Sequence, residues 1–160
     1  MTQISKSLLI IAHTPSPNSK AMAEAILDGA TDSSVDGVTV RLASPFDCSS
    51  EMVLESDALV LFTTENFGYM SGALKDFFER IYYPCLDDTK RNDAKPFALV
   101  IKAGLDGTGT DISVGKITSG LKWRPVQATT LCKGEFEPEF IARCRDIGLT
   151  IAASLEAEII

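Results

Sequence analysis

The chain is short of the residues on which much acid–base and metal chemistry rests. It holds one histidine, His13, in 160 residues. A single histidine gives no basis for a Ser-His-Asp or Cys-His arrangement, and it argues against a Cys/His zinc site. Four cysteines are present, Cys48, Cys85, Cys132 and Cys144. No two stand at CxxC spacing, and they read as reduced thiols with mostly structural roles. The acidic residues do not cluster in a way that suggests a metal. Long hydrophobic runs are also missing. The apolar stretch Ala58–Phe62 falls far short of the roughly 20 residues that span a bilayer, so no membrane span is expected. The polar lead Met1-Thr2-Gln3-Ile4-Ser5-Lys6 lacks the layout of a secretion signal, and a cytoplasmic location is expected. Positive charge is in deficit: the net charge is -7. That argues against nucleic acid, whose phosphates would repel the chain, and suits docking to a basic protein partner. No internal repeat, low-complexity tract or second domain is visible, so residues 1–160 read as one domain.

What is present is a core and a rhythm. Hydrophobic residues make up 45% and charged residues 23%, a balance that excludes a disordered chain. Ser7–His13, Ala58–Phe62 and Phe97–Ile101 are short, apolar runs, as expected of strands buried on both faces. Val38–Leu42 and Pro125–Cys132 add two more. Between them lie helical patterns. Met22, Ala25, Ile26 and Gly29 mark a helix from Asn18 to about Ala30. Leu74, Phe77, Phe78 and Ile81 mark another, which Pro84 is expected to end. A short helix is expected within Pro45–Ser56 and another helix over Ile112–Leu121. Ile141, Cys144, Ile147, Ile151 and Leu155 stripe the last helix, with Pro138 in its first turn. Strand and helix alternate throughout, which predicts an α/β parallel sheet with helices on both faces. In such sheets ligands bind beyond the carboxyl ends of the strands. The loops after strands one, three and four belong at that edge.

The first of these loops, His13 to Ser19, offers Thr14, Ser16, Asn18 and Ser19 as side-chain donors at the start of a helix. Free N–H groups and the positive dipole end make that a cradle for a phosphate. The competing reading is a capped helix start with Asn18 as N-cap. Thr14-x-Ser16-x-Asn18-Ser19 resembles the phosphate loop of flavodoxins, (S/T)-x-T-G-x-T, with Pro17 where glycine is usual. Proline removes an N–H, so the side-chain hydroxyls matter more here. His13 could serve acid–base chemistry; a structural hydrogen bond is the simpler role.

The second loop runs Thr63-Thr64-Glu65-Asn66-Phe67-Gly68-Tyr69-Met70-Ser71-Gly72 into Ala73–Arg80. From Thr64 to Arg80 it resembles T-P-x-(Y/F)-x-x-x-(S/P)-(G/A)-x-L-K-x-(F/W)-x-D-R of NAD(P)H-dependent FMN reductases and NAD(P)H:quinone oxidoreductases. Glu65 replaces the usual proline and Glu79 the usual aspartate. Phe67 and Tyr69 could wall an isoalloxazine ring or be loop anchors packed on the core. Gly68 and Gly72 allow close backbone approach, and Thr64, Glu65 and Asn66 could reach the ring edge. The third loop, Ala103–Gly109, contains Gly104, Asp106 and Gly107 and resembles the S-(A/G)-G-x-x-G-G loop of the same reductases. Taken alone it is equally a plain turn. Lys75 and Arg80 could meet a nicotinamide phosphate, with a solvated helix face as the default.

Across nearly its whole length the chain resembles the flavodoxin-like superfamily. The resemblance implies a three-layer sandwich whose five-stranded sheet has the order 2-1-3-4-5, with one non-covalent FMN. It implies an oxidoreductase that passes electrons from NAD(P)H through the flavin to a quinone or other small-molecule acceptor, with an open flavin face often at the edge of a homo-oligomer. A flavodoxin-type electron carrier serving a redox protein partner is the alternative, supported by the acidic charge. A flavin-free domain on the same fold is the third reading, supported by Pro17.

Overall fold

The computed structural model describes residues 5–160; the polar lead at 1–4 lies outside them. Its first strand, β1 (Lys6–Ala12), is flanked by β2 (Val38–Ala43) and by the central strand β3 (Ala58–Asn66). All three run parallel, with Leu9 opposite Arg41 on one side and Leu59 on the other. Beyond β3 lie the antiparallel two-residue β4 (Tyr69–Met70) and the parallel β5 (Pro96–Ala103). The outermost strand is broken into β6 (Arg124–Pro125) and β7 (Thr130–Lys133), both parallel to β5. Counting β6 and β7 as one interrupted strand, the order of the five main strands is the expected 2-1-3-4-5.

The uniform apolar runs follow from two cores. Side chains alternate across a sheet, so Leu8, Ile10 and Ala12 enter one core while Leu9 and Ile11 enter the other. The first core is closed by α1 (Pro17–Ala30) and α6 (Pro138–Glu156), the second by α2 (Ser50–Glu55), α3 (Gly72–Asp87) and α5 (Thr108–Gly120). A single turn, α4 (Thr89–Asn92), follows α3. Met22, Ala25, Ile26 and Gly29 are buried as expected; on α6, Phe140 takes the buried place expected of Ile141, which is half-buried. Arg145 of α6 clamps the end of α1, reaching Asp28 at 2.9 Å and Asp32 at 2.7 Å. The Arg145 guanidinium and Ser34 hold the Asp32 carboxyl far below the usual carboxylate range.

Three expectations need correcting. Pro84 does not end α3; the helix continues to Asp87. Proline there deletes one hydrogen bond near the helix end, and buried Cys85 holds the last turn on the core. Residues 63–66 are not loop but an extension of β3, paired with Tyr69 and Met70. The polar connection at 86–95 is not wholly solvated either. Asn92 is buried, donating to Leu121 O and accepting the Trp123 indole N–H at 2.7 Å.

Candidate functional site

The three loops lie at the carboxyl edge of β1, β3 and β5, because parallel strands deliver their following loops to one edge. The first is a helix cap built from two serines. Ser16 is the N-cap of α1; its hydroxyl accepts from Ser19 N at 3.2 Å, and Ser19 Oγ accepts from Ser16 N at 3.0 Å. This reciprocal capping box corrects the expectation that Asn18 is the N-cap. Pro17 then occupies the first helical position, where its missing N–H would have had no intrahelical partner. Ser19 is buried beneath the turn, while Thr14, Ser16 and Asn18 are exposed. With proline at the first position and Ser16 serving Ser19, the Asn18 N–H is the first-turn donor left without an intrahelical acceptor. His13 lies at the start of this loop and donates its backbone N–H to Phe62 O at 3.1 Å. Its partial burial holds the imidazole below its ordinary pKa. Ser16→Ala removes the cap and is expected to cost about 1 kcal/mol of stability, read as a lowered midpoint in urea unfolding.

The second loop is a tight hairpin. Phe67 (φ 55°) and Gly68 (φ 72°) both have positive φ, the conformation of a type I′ turn. Phe67 is fully exposed and packs on no core, so it is not the anchor; the anchor is Met70, which is buried. A bulky residue in the left-handed region costs roughly 1–2 kcal/mol. Phe67→Asn is therefore expected to raise the stability of the free protein by about 1 kcal/mol, a gain of a few degrees by differential scanning calorimetry. Behind the turn, Thr64 Oγ1 donates to Asn66 Oδ1 at 2.9 Å. Buried Thr63 accepts from Ser71 N at 3.1 Å, and Ser71 caps α3 through Leu74 N.

The third loop is tied to the second by Glu65. One carboxylate oxygen accepts from Leu105 N at 2.8 Å and the other from Gly107 N at 2.9 Å. A second contact joins them: Gly109, in the first turn of α5, has no room for a Cβ, which would collide with the Gly68 carbonyl oxygen. Gly107 caps α5 at φ 72°, while Asp106 accepts from Thr108 N at 3.0 Å, which keeps its carboxyl below the usual range. Beside Gly109 in the first turn of α5 the Thr110 hydroxyl is buried with no hydrogen-bond partner among the described residues. Gly104 has open space around it. The sequence marks Gly109 only as the last residue of the third loop and does not single out Thr110; their roles depend on which loop they face.

The structure thus places Thr14, Ser16, Asn18 and Ser19 on one loop, and brings Thr64, Glu65, Asn66, Phe67, Gly68 and Tyr69 together with Gly104, Asp106 and Gly107 on two joined loops. Lys75 and Arg80 are engaged elsewhere. Lys75 pairs with Glu79 at 3.1 Å, while Arg80 pairs with Asp76 and donates to Cys48 O and Pro45 O, pinning α3 to the turn at Pro45–Asp47.

Among the described residues, no helix is long and apolar enough to cross a membrane. No group of three or more His, Cys, Asp or Glu is placed to hold a metal. No protein-family model matches this chain. One curated relative is a flavodoxin of Aquifex aeolicus (strain VF5), 35% identical over 74 residues, which is 46% of this chain and 39% of that flavodoxin. The match therefore spans well under half of that relative. Solved structures extend the likeness to the whole fold. A flavodoxin from the domain Archaea superposes with a TM-score of 0.77 at 18% identity, covering 93% of this chain and 98% of the other. A WrbA-like flavodoxin from Agrobacterium tumefaciens gives 0.71 at 16% identity, with 96% and 98% covered. Rubredoxin oxygen:oxidoreductase of Desulfovibrio gigas gives 0.76 at 13% identity, covering 98% of this chain but 38% of that one. The chain has a flavodoxin-like fold.

Proposed function

We propose that the chain binds one FMN at the three loops and works as an oxidoreductase, taking electrons from NAD(P)H and passing them to a quinone or other small acceptor. The observation that carries this reading is the joining of loops two and three by Glu65, beside a phosphate-type helix start. Loop one supports the phosphate: Thr14, Ser16 and Asn18 present polar side chains outward, and the α1 dipole favours an anion. Pro17 is less of an obstacle than its identity suggests, since its position asks for no N–H. At loops two and three, the exposed Phe67 and Tyr69 supply flat apolar surface, and Gly104 and Gly68 leave the backbone bare. The orphaned Thr110 hydroxyl adds an unpartnered polar group at the same edge. A bound flavin would supply hydride acceptance and electron release; the protein's part is to hold it, orient it and limit water around it. The alternative, an electron carrier with a protein partner, draws on the likeness to flavodoxins and the net charge of -7.

The test is titration of the purified chain with FMN, followed by flavin fluorescence, then addition of NADPH without oxygen. Tight binding with rapid bleaching supports the oxidoreductase, and tight binding without it supports the carrier. No binding at tens of micromolar overturns both. His13 gives a second readout, since it is the only histidine. Burial now lowers its pKa; a phosphate dianion on loop one favours the charged imidazolium and is expected to raise it. An NMR titration of the single imidazole with and without FMN, showing no upward shift, would count against a phosphate at this loop.

A further inference from the structure

We propose that the break in the outermost strand opens onto a second binding site, separate from the three loops. Its ligand is a planar heteroaromatic molecule that carries N–H or O–H donors and no negative charge, of the nucleobase or nucleoside type. The outer strand pairs with β5 at Arg124–Pro125 and again from Thr130 to Lys133; Val126 still donates its N–H to Phe97 O at 3.0 Å, and residues 127–129 leave the sheet edge. Under that gap, between α5 and β5, is a cavity of about 420 Å³. This lies within the roughly 300–1,000 Å³ typical of small-molecule sites.

The chemistry of the lining selects the ligand class. The floor is formed by Phe97, Leu99, Val114 and Trp123, with the Phe97 and Trp123 rings 6.2 Å apart. Apolar and aromatic surface of that kind suits a flat ring. The lining also carries Asp111, whose carboxylate accepts, Gln127, whose carboxamide both accepts and donates, and hydroxyls such as Thr129. Asp111 already accepts the Thr129 hydroxyl at 2.6 Å through one oxygen, which leaves its other oxygen to a ligand donor. It is the one charged residue in the lining among the described residues. A lone carboxylate repels an anion and favours a molecule that donates hydrogen bonds.

A second observation points the same way. Gly115 lines this cavity, in the interior of α5, and a methyl group built on it would meet nothing within 4 Å. Glycine is a poor residue for a helix interior. At Gly29 and Gly148 the packing of α1 on α6 excludes any side chain. No such contact explains Gly115. What a bare backbone achieves at this position is an open cavity.

Trp123 is the only tryptophan in the chain and sits on the cavity floor, so its emission reports on occupancy. The experiment titrates the full chain, without FMN, with adenosine, guanosine and nicotinamide. At least one is expected to give a saturable change in Trp123 emission with a Kd below about 1 mM. Gly115→Leu, which adds an isobutyl group to the cavity wall, should weaken that binding at least tenfold while melting no lower than the parent chain. Gly115→Ala should melt slightly higher and weaken binding less, and it decides the matter alone if the leucine variant does not fold. The proposal is overturned if none of the three probes gives a saturable change, or if binding is undiminished in both variants. Because FMN is absent, the outcome is independent of the flavin reading.

Discussion

Gly29→Ala and Gly148→Ala are each expected to destabilise the protein severely, although helix propensity alone predicts the opposite. In a free helix, replacing an interior glycine by alanine gains roughly 0.5–1 kcal/mol. Here α1 and α6 cross with their backbones in contact. A Cβ on Gly29 would run into the Arg145 carbonyl oxygen, and one on Gly148 into the Ile26 carbonyl oxygen. Both obstacles are main chain, so no rotamer change relieves them. The helices must separate, which loosens Met22, Ile26, Ile147 and Ile151 in the first core. Overpacking costs typically about 1–3 kcal/mol and sometimes more, and a backbone collision belongs at the upper end. In a chain of this size about 3 kcal/mol is roughly 6–12 °C of melting temperature. Thermal unfolding monitored by circular dichroism measures it. A rise in melting temperature in either variant would mean that propensity outweighs packing and that the two helices do not touch at these glycines. The double variant should cost less than the sum of the two, since one separation of the helices relieves both contacts.

Much of this fold was legible because buried parallel strands have an unmistakable composition. Leu8–Ala12, Ala58–Phe62 and Phe97–Ile101 are apolar at every position, which only a sheet covered on both faces requires. The stripes on α1 and α3 identified their buried faces for the same reason: each is a short-range pattern. What escaped notice depended on partners distant in sequence. Residues 63–66 are polar and read as loop, yet they continue β3 because the turn at Phe67–Gly68 folds Tyr69 and Met70 back onto them. Phe67 gave no turn signal, since an aromatic residue is a poor occupant of the left-handed region. The N-cap of α1 was misplaced by two residues, although Pro17 favours the first helical position and so points to Ser16. The interruption of the outer strand carries no local signal: residues 127–129 leave the sheet edge, although Pro125–Cys132 holds no strong breaker after its first residue. Glu65 stood out as a departure from a familiar pattern, but a departure carries no structural meaning until its partners are known.

Those partners make Glu65→Ala the variant with the largest expected effect on the site. The Glu65 carboxylate holds two backbone N–H groups of loop three at 2.8 and 2.9 Å. A hydrogen bond to a charged group contributes on the order of 1.5–3 kcal/mol, and here the gain is local, because Glu65 is part-exposed and belongs to neither core. Losing it leaves loop three attached to loop two through the packing of Gly109 against Gly68. The sheet and its helices do not depend on it, so global stability should fall by less than about 1 kcal/mol. Loop three, however, must then be ordered when a ligand binds, and that ordering is charged against affinity. The expected result is FMN binding weakened roughly tenfold to a hundredfold, with faster amide hydrogen exchange at Leu105 and Gly107. Glu65→Gln keeps one acceptor oxygen and should fall between the parent and alanine variants on both measures. Unchanged exchange at Leu105 and Gly107 in the alanine variant would show that the carboxylate does not hold the loop. Faster exchange with unchanged FMN affinity would separate the two ideas: the clasp would stand, and loop three would lie outside the flavin site.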